Sequence, residues 1–171
     1  MEKKGQVYWI MGLPGSGKTT IGTKLYEYLS VKNPGTVILD GDRLRDVYQF
    51  KDYSDSGRAQ IGLITGRLIK MLSEQGLDIV GCFVGINKDI RTWNRANIEN
   101  LNEIYLKVDM EELIKRDQKQ LYSKALRGEE YNVYGINVPF EEPENVDFIV
   151  ENYGDNSPDD TLHKIIEHFS L

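Results

Sequence analysis

The stretch that decides the fold is GLPGSGKTT, Gly12–Thr20, lying directly behind the apolar run VYWIM at 7–11. It matches G-x-x-x-x-G-K-[ST] in full, through Gly12, Gly17, Lys18 and Thr19. Glycines at such spacing let the backbone wrap closely, so that successive N–H groups and the start of the next helix face phosphate oxygens. Gly12, Gly15, Ser16, Gly17, Lys18, Thr19 and Thr20 are therefore the expected nucleotide-binding residues. The Lys18 ammonium is expected on the β- and γ-phosphates, and the Thr19 hydroxyl on Mg2+, which makes ATP with Mg2+ the expected cofactor pair.

Working outward, four short apolar runs read as buried strands, at 6–11, 36–40, 77–84 and 103–109, with a shorter fifth at 147–151. Continuous rather than alternating apolarity fits a parallel sheet covered on both faces. Helical patterns fill the gaps. Ile21, Leu25 and Leu29 share one face of a helix over 18–30, and Ile61, Ile64, Leu68 and Leu72 repeat the pattern before Gly76. Further helices are expected over 43–50, 89–101, 110–118 and 159–169. Strand–helix alternation throughout predicts a doubly wound α/β sandwich. Residues 127–145 break the rhythm, with two glycines, two prolines and no helical period. A segment of that length without regular structure in a compact domain reads as a lid, and its tyrosines and aliphatic residues argue against disorder.

At 171 residues the chain is one domain of ordinary globular composition, 40% hydrophobic and 28% charged. A net charge of −6 argues against nucleic-acid or membrane-surface binding. One cysteine, Cys82 in an apolar run, excludes an internal disulfide and reads as a core thiol. The start MEKKGQVYWI lacks the apolar stretch of a signal peptide, and no run reaches the ~20 residues of a membrane span, so a cytoplasmic protein is expected. His163 and His168 are five apart and do not share a helix face, whereas Trp9 and Trp93 read as core or interface.

What receives the phosphate is addressed by TVILDGDRLR, 36–45. Asp40 and Asp42 fall at the carboxyl edge of the predicted sheet, where ligands of open α/β sheets bind. Asp40 is assigned to ordering a water of Mg2+, and Asp42 to accepting the proton of an attacking hydroxyl. Asp42 also suits the cap of the following helix, a role that would leave Asp40 without a structural reason. The string Asn87-Lys88-Asp89-Ile90 fails as a guanine-reading N-K-x-D because Ile90 occupies the Asp position.

GLPGSGKTT, LDGDRLR and RDQKQLYSKALRGEEYNVYGINVPFEEPEN together resemble the adenylylsulfate (APS) kinase family over most of the chain. That resemblance implies a three-layer P-loop kinase fold with a five-stranded parallel sheet, often dimeric. It also implies transfer of the ATP γ-phosphate to the 3′-hydroxyl of a nucleotide with an anhydride-linked 5′ group. Arg45 corresponds to the family's substrate arginine in D-G-D-x-x-R. Tyr53 and Arg58 correspond to a base-stacking aromatic and a phosphate-binding arginine, with Gln60 near a substrate asparagine. Lys119, Leu121, Tyr122, Lys124 and Ala125 match the helix before the lid, and Asn132, Gly135 and Ile136 match the lid.

The departures gather in the acceptor pocket. Where the family reads I-S-P-[FY]-R-x-x-R this chain reads VGINKDIR, so Gly85 replaces the serine phosphorylated in some members and leaves direct transfer as the mechanism. Lys88 and Arg91 keep the positive charges for the substrate, whereas Val133 replaces the lid phenylalanine that would sandwich adenine. Losing one stacking face weakens purine binding by ~1–3 kcal/mol. The expected acceptor is therefore an APS-like nucleotide with another base or 5′ group. Cytidine 5′-diphosphoramidate, used in phosphoramidate modification of polysaccharides, is put slightly ahead of APS itself. A nucleotide-binding regulatory module without transfer is the reading from another class.

Overall fold

The structure, a computed structural model, describes residues 4–171. Five parallel strands form one sheet: β1 (Val7–Met11), β2 (Val37–Asp40), β3 (Ile79–Phe83), β4 (Leu101–Lys107) and β5 (Phe148–Glu151), in the order β2-β3-β1-β4-β5. The seven helices are α1 (Lys18–Lys32), α2 (Gly41–Tyr48), α3 (Asp55–Ser73), α4 (Lys88–Asn97), α5 (Met110–Arg116), α6 (Leu121–Leu126) and α7 (Pro158–Phe169). The predicted three-layer α/β architecture is the one observed.

Both faces of the sheet are covered, which is why its strands read as unbroken apolar runs. On one face Tyr8, Ile10, Val80, Cys82 and Ile104 meet Ile21, Leu25 and Leu29 of α1 and Ile165 of α7. On the other, Val7, Trp9, Met11, Ile79 and Phe83 meet Leu44 of α2, Ile69 of α3 and Ile90 of α4. A third, smaller core lies outside the sheet faces and joins Leu13, Val108, Leu113, Tyr122 and Ala125 to Val133 of the 127–145 segment. That segment holds no helix or strand, only an isolated bridge from Tyr134 to Val138, yet it is docked by this burial.

Two predicted elements shift. The helix expected over 89–101 stops at Asn97, because Leu101 is drawn into register with Val7 of β1 and opens β4. On α3 the residues buried are Gly57, Ile61, Thr65, Gly66, Ile69 and Ser73, so Ile64, Leu68 and Leu72 of the predicted stripe sit at the margin rather than the centre. Small residues carry no apolar signal, but they let α4 approach. A side chain at Gly66 would stand 2.4 Å from Asn94 Oδ1 and 3.2 Å from the Trp93 ring. No helix among the described residues is long and apolar enough to cross a membrane.

Candidate active site

The sheet's carboxyl edge carries the phosphate loop, because β1 ends at Met11 and α1 begins at Lys18. Gly17 caps α1 at φ 94°, a left-handed conformation that a side chain would strain. There a Cβ would also stand 2.5 Å from Asn152 Nδ2. The Asn152 amide donates to Ser16 O (2.7 Å) and accepts from the Thr161 hydroxyl (2.8 Å), so β5 and α7 hold the loop from behind. From above, the Tyr122 hydroxyl donates to Pro14 O at 2.7 Å. Ser16 Oγ is buried with no hydrogen-bond partner among the described residues, a polar atom that a phosphate-binding loop leaves free.

Lys18 Nζ donates to Leu13 O at 2.8 Å. Burial pushes its ammonium down to about 8, against the opposing pull of Cys82, Asp42 and Asp40. Cys82 donates its thiol to Lys18 O at 3.4 Å, and burial pushes it up to about 12, so it is the inert core thiol expected.

A cleft of about 340 Å³ opens beside the loop, lined by Gly15, Gly17, Lys18, Thr19, Arg116 and Gln118. Arg116 was missed in the sequence, where nothing local distinguishes it from a helix-end cation. Its guanidinium donates to Gly15 O (3.2 Å), Asn152 O (2.9 Å) and Glu112 Oε1 (3.0 Å), and so clamps the loop to β5. Arg116→Ala is expected to raise the KM for ATP about tenfold, on the scale of one or two charge-assisted hydrogen bonds, with the acceptor KM little changed. Steady-state kinetics with each substrate varied separately checks this.

The two carboxylates stand where the sequence put them, with their structural roles exchanged. Asp40, not Asp42, is the cap of α2: its Oδ1 accepts from Asp42 N (3.0 Å) and Arg43 N (3.3 Å). Its other oxygen accepts the Thr19 hydroxyl at 2.8 Å, so the predicted metal residues are in contact. One hydroxyl and one carboxylate, open to water and phosphate, are the sparse all-oxygen donor set that Mg2+ accepts. Asp42 lies in the first turn of α2 and pairs with Lys119 at 3.1 Å. Lys119 sits in a strained connection, since Asp117, Lys119 and Gln120 all have positive φ. Gln120 has φ 58°, a left-handed conformation that glycine adopts at less cost.

On the acceptor side, Arg45 donates to Asp52 O (2.9 Å) and lies 4.3 Å over the half-exposed Tyr53 ring. These residues line a wide cleft of about 670 Å³ with Asp46, Gln49, Phe50 and Lys51. Arg58, from the first turn of α3, reaches the 127–145 segment, donating to Asn132 O and lying 4.2 Å over the Tyr134 ring.

Comparison with known proteins places this geometry. The adenylylsulphate kinase family model matches residues 4–151. The chain belongs to the adenylylsulphate kinase family. It is 38% identical to the cytidine diphosphoramidate kinase of Campylobacter jejuni over the whole of both chains. It is 36% identical to a probable adenylyl-sulfate kinase of Aeropyrum pernix, covering 97% of this chain and 88% of that one. The APS kinase of Mycobacterium tuberculosis, solved with AMPPNP and APS, superposes with a TM-score of 0.87 at 25% identity, over 98% of this chain and 99% of that one. The chain is thus a kinase, and the reading as a module without transfer is set aside.

Within this adenylylsulphate kinase family member, several predicted acceptor residues are not where the sequence suggested. Arg91 is turned inward: it is 7% exposed and its guanidinium meets the buried Glu103 carboxylate at 3.1 and 2.8 Å. Val133 is buried in the third core. Gln60 is exposed and two residues from Arg58, hence on another face of α3. Lys88 is exposed at the start of α4, whose cap is Asn87, accepting from Asp89 N and Ile90 N. Ile136 packs on the third core, and a side chain at Gly135 would stand 2.0 Å from Met110 Cε.

Proposed function

We propose that this kinase transfers the γ-phosphoryl group of ATP to the 3′-hydroxyl of cytidine 5′-diphosphoramidate. The reading rests on Val133: an aromatic clamp for a purine is absent from that position, and its replacement is sealed in the third core. The full-length similarity to the Campylobacter jejuni enzyme supports the same acceptor.

In this reading the loop residues 12–20 and Lys18 hold the triphosphate, and Arg116 at the end of α5 ties the loop to Asn152 just past β5. Thr19 and Asp40 would hold Mg2+, which when bound would neutralise charge on the phosphate oxygens. Asp42 accepts the proton of the acceptor's 3′-hydroxyl as that oxygen attacks the γ-phosphorus. The bond from this phosphorus to the bridging oxygen breaks, and the electron pair leaves with ADP. Lys119, 3.1 Å from Asp42, orients the carboxylate before the transfer. Arg45 and Arg58 supply positive charge for the acceptor's two phosphates. The docked 127–145 segment works as the lid that keeps water from the γ-phosphate.

APS is the second reading, favoured by the 33–36% identity to several adenylyl-sulfate kinases. Steady-state kinetics with both acceptors separates the two. A larger kcat/KM for cytidine 5′-diphosphoramidate is expected, and a far larger one for APS would reverse the assignment.

A further inference from the structure

The connection between α5 and α6 meets both halves of the site. Arg116, the last residue of α5, donates to Gly15 O at 3.2 Å, and Gln118 lines the phosphate cleft beside Gly15, Lys18 and Thr19. The next residue, Lys119, reaches Asp42 instead, at 3.1 Å. Neighbouring side chains thus touch the phosphate loop and the carboxylate assigned to the attacking hydroxyl.

Gln118 stands close over the loop. A side chain at Gly15 would meet its Cβ at 3.8 Å and its Oε1 at 3.9 Å, and the residue is exposed to the cleft. The turn that carries it is held in place. Asp117 and Lys119, on either side, keep left-handed backbone at φ 37° and 58°. Residues other than glycine hold such conformations where the surrounding structure imposes them, and they gather at functional sites. Here Asp117 Oδ1 accepts from Ser123 N at 3.0 Å, and Gln120 N donates to Asp117 O at 2.9 Å. Both bonds close the turn around Gln118, whose own backbone stays helical.

If ATP occupies the loop, its γ-phosphorus lies between the loop and Asp42, because the hydroxyl that attacks it is held by Asp42. Gln118 lines the cleft and is followed by the residue that meets Asp42, which puts it toward the γ end. A glutamine amide there supplies an N–H donor to a phosphate oxygen, beside the charge that Lys18 already brings. We propose that Gln118 binds the γ-phosphate, donating its side-chain amide to an oxygen of the group being transferred. This rests on the ATP reading of the loop and not on the identity of the acceptor.

The test is calorimetric titration of the full chain with AMPPNP or ADP, with Mg2+ and without acceptor, for wild type, Gln118→Ala and Gln118→Glu. Gln118→Ala is expected to weaken AMPPNP about tenfold, the scale of one hydrogen bond to a charged group, and to leave ADP within about twofold. Gln118→Glu keeps the length but sets a carboxylate against the phosphate, so AMPPNP should weaken more than in the alanine variant, and more than ADP does. The thermal midpoint should hold, since the side chain is exposed and alanine suits a helical backbone. Unchanged AMPPNP affinity in Gln118→Ala would overturn the proposal. So would an equal loss for both nucleotides, which would mean that Gln118 only props the loop at Gly15. A wild type that binds neither nucleotide would overturn the ATP reading itself, and this assignment with it.

Discussion

Asp42→Ala is expected to lower kcat by about 10²–10⁴, the usual contribution of a positioned general base. Asp42 is 73% exposed at its side chain and makes one contact, to the equally exposed Lys119, so its removal deprives the fold of little. An exposed ion pair is worth about 0–1 kcal/mol, which leaves the thermal midpoint nearly unchanged. The loss should therefore appear in turnover and not in folding, and the ATP KM should hold because the phosphate loop is untouched. Asp42→Asn should be as poor as alanine, since an amide keeps the shape but takes no proton. Wild-type turnover in either variant would remove Asp42 from the chemistry. Asp40→Ala would be a poorer experiment: it deletes the cap of α2 together with the Thr19 contact, and mixes a structural loss with a chemical one.

Glu103→Ala is expected to lower stability by about 3–5 kcal/mol, because removing one partner of a buried ion pair leaves the other uncompensated. Glu103 is wholly buried in β4 and takes Arg91 through two hydrogen bonds and Arg95 through two more, at 2.8 and 2.5 Å. The same arginines also donate to Glu144 O and Asn145 O, and Glu103 N donates to Asp147 Oδ2 at 2.7 Å. One carboxylate thus anchors the end of the 127–145 segment where it runs into β5. For a chain of this size the loss corresponds to roughly 10 °C in the midpoint of thermal unfolding. The acceptor KM should rise in parallel, as the lid's anchor loosens. A midpoint within about 2 °C of wild type would show that Arg91 finds other compensation.

The parts of the site that sequence disclosed are those whose partners lie close along the chain. Gly12 to Thr20 forms its loop from its own backbone, so spacing alone identifies it. The pair Asp40 and Asp42 was legible as a place, because Asp40 ends β2 and Asp42 comes two residues later. Which of them caps α2 was not, since either spacing permits a cap and the choice depends on where the helix turn begins. Arg91 shows the opposite limit. Its charge could be read, but its direction is set by Glu103, twelve residues on and in a different element. Val133 and Tyr134 lie in a segment without period, so which one turns inward is decided by Leu13, Leu113 and Tyr122, brought from three distant places. Asn152 and Arg116 support the loop from β5 and α5 and carry no motif at all.

The most direct measurement is a crystal structure with a non-hydrolysable ATP analogue, Mg2+ and cytidine 5′-diphosphoramidate bound together. The 3′-oxygen of the acceptor is predicted within about 2.6–3.2 Å of an Asp42 carboxylate oxygen and about 3–3.5 Å from the γ-phosphorus, in line with the departing oxygen. A 3′-oxygen turned away from both, with another hydroxyl in its place, would contradict the assignment of the reaction to this edge of the sheet.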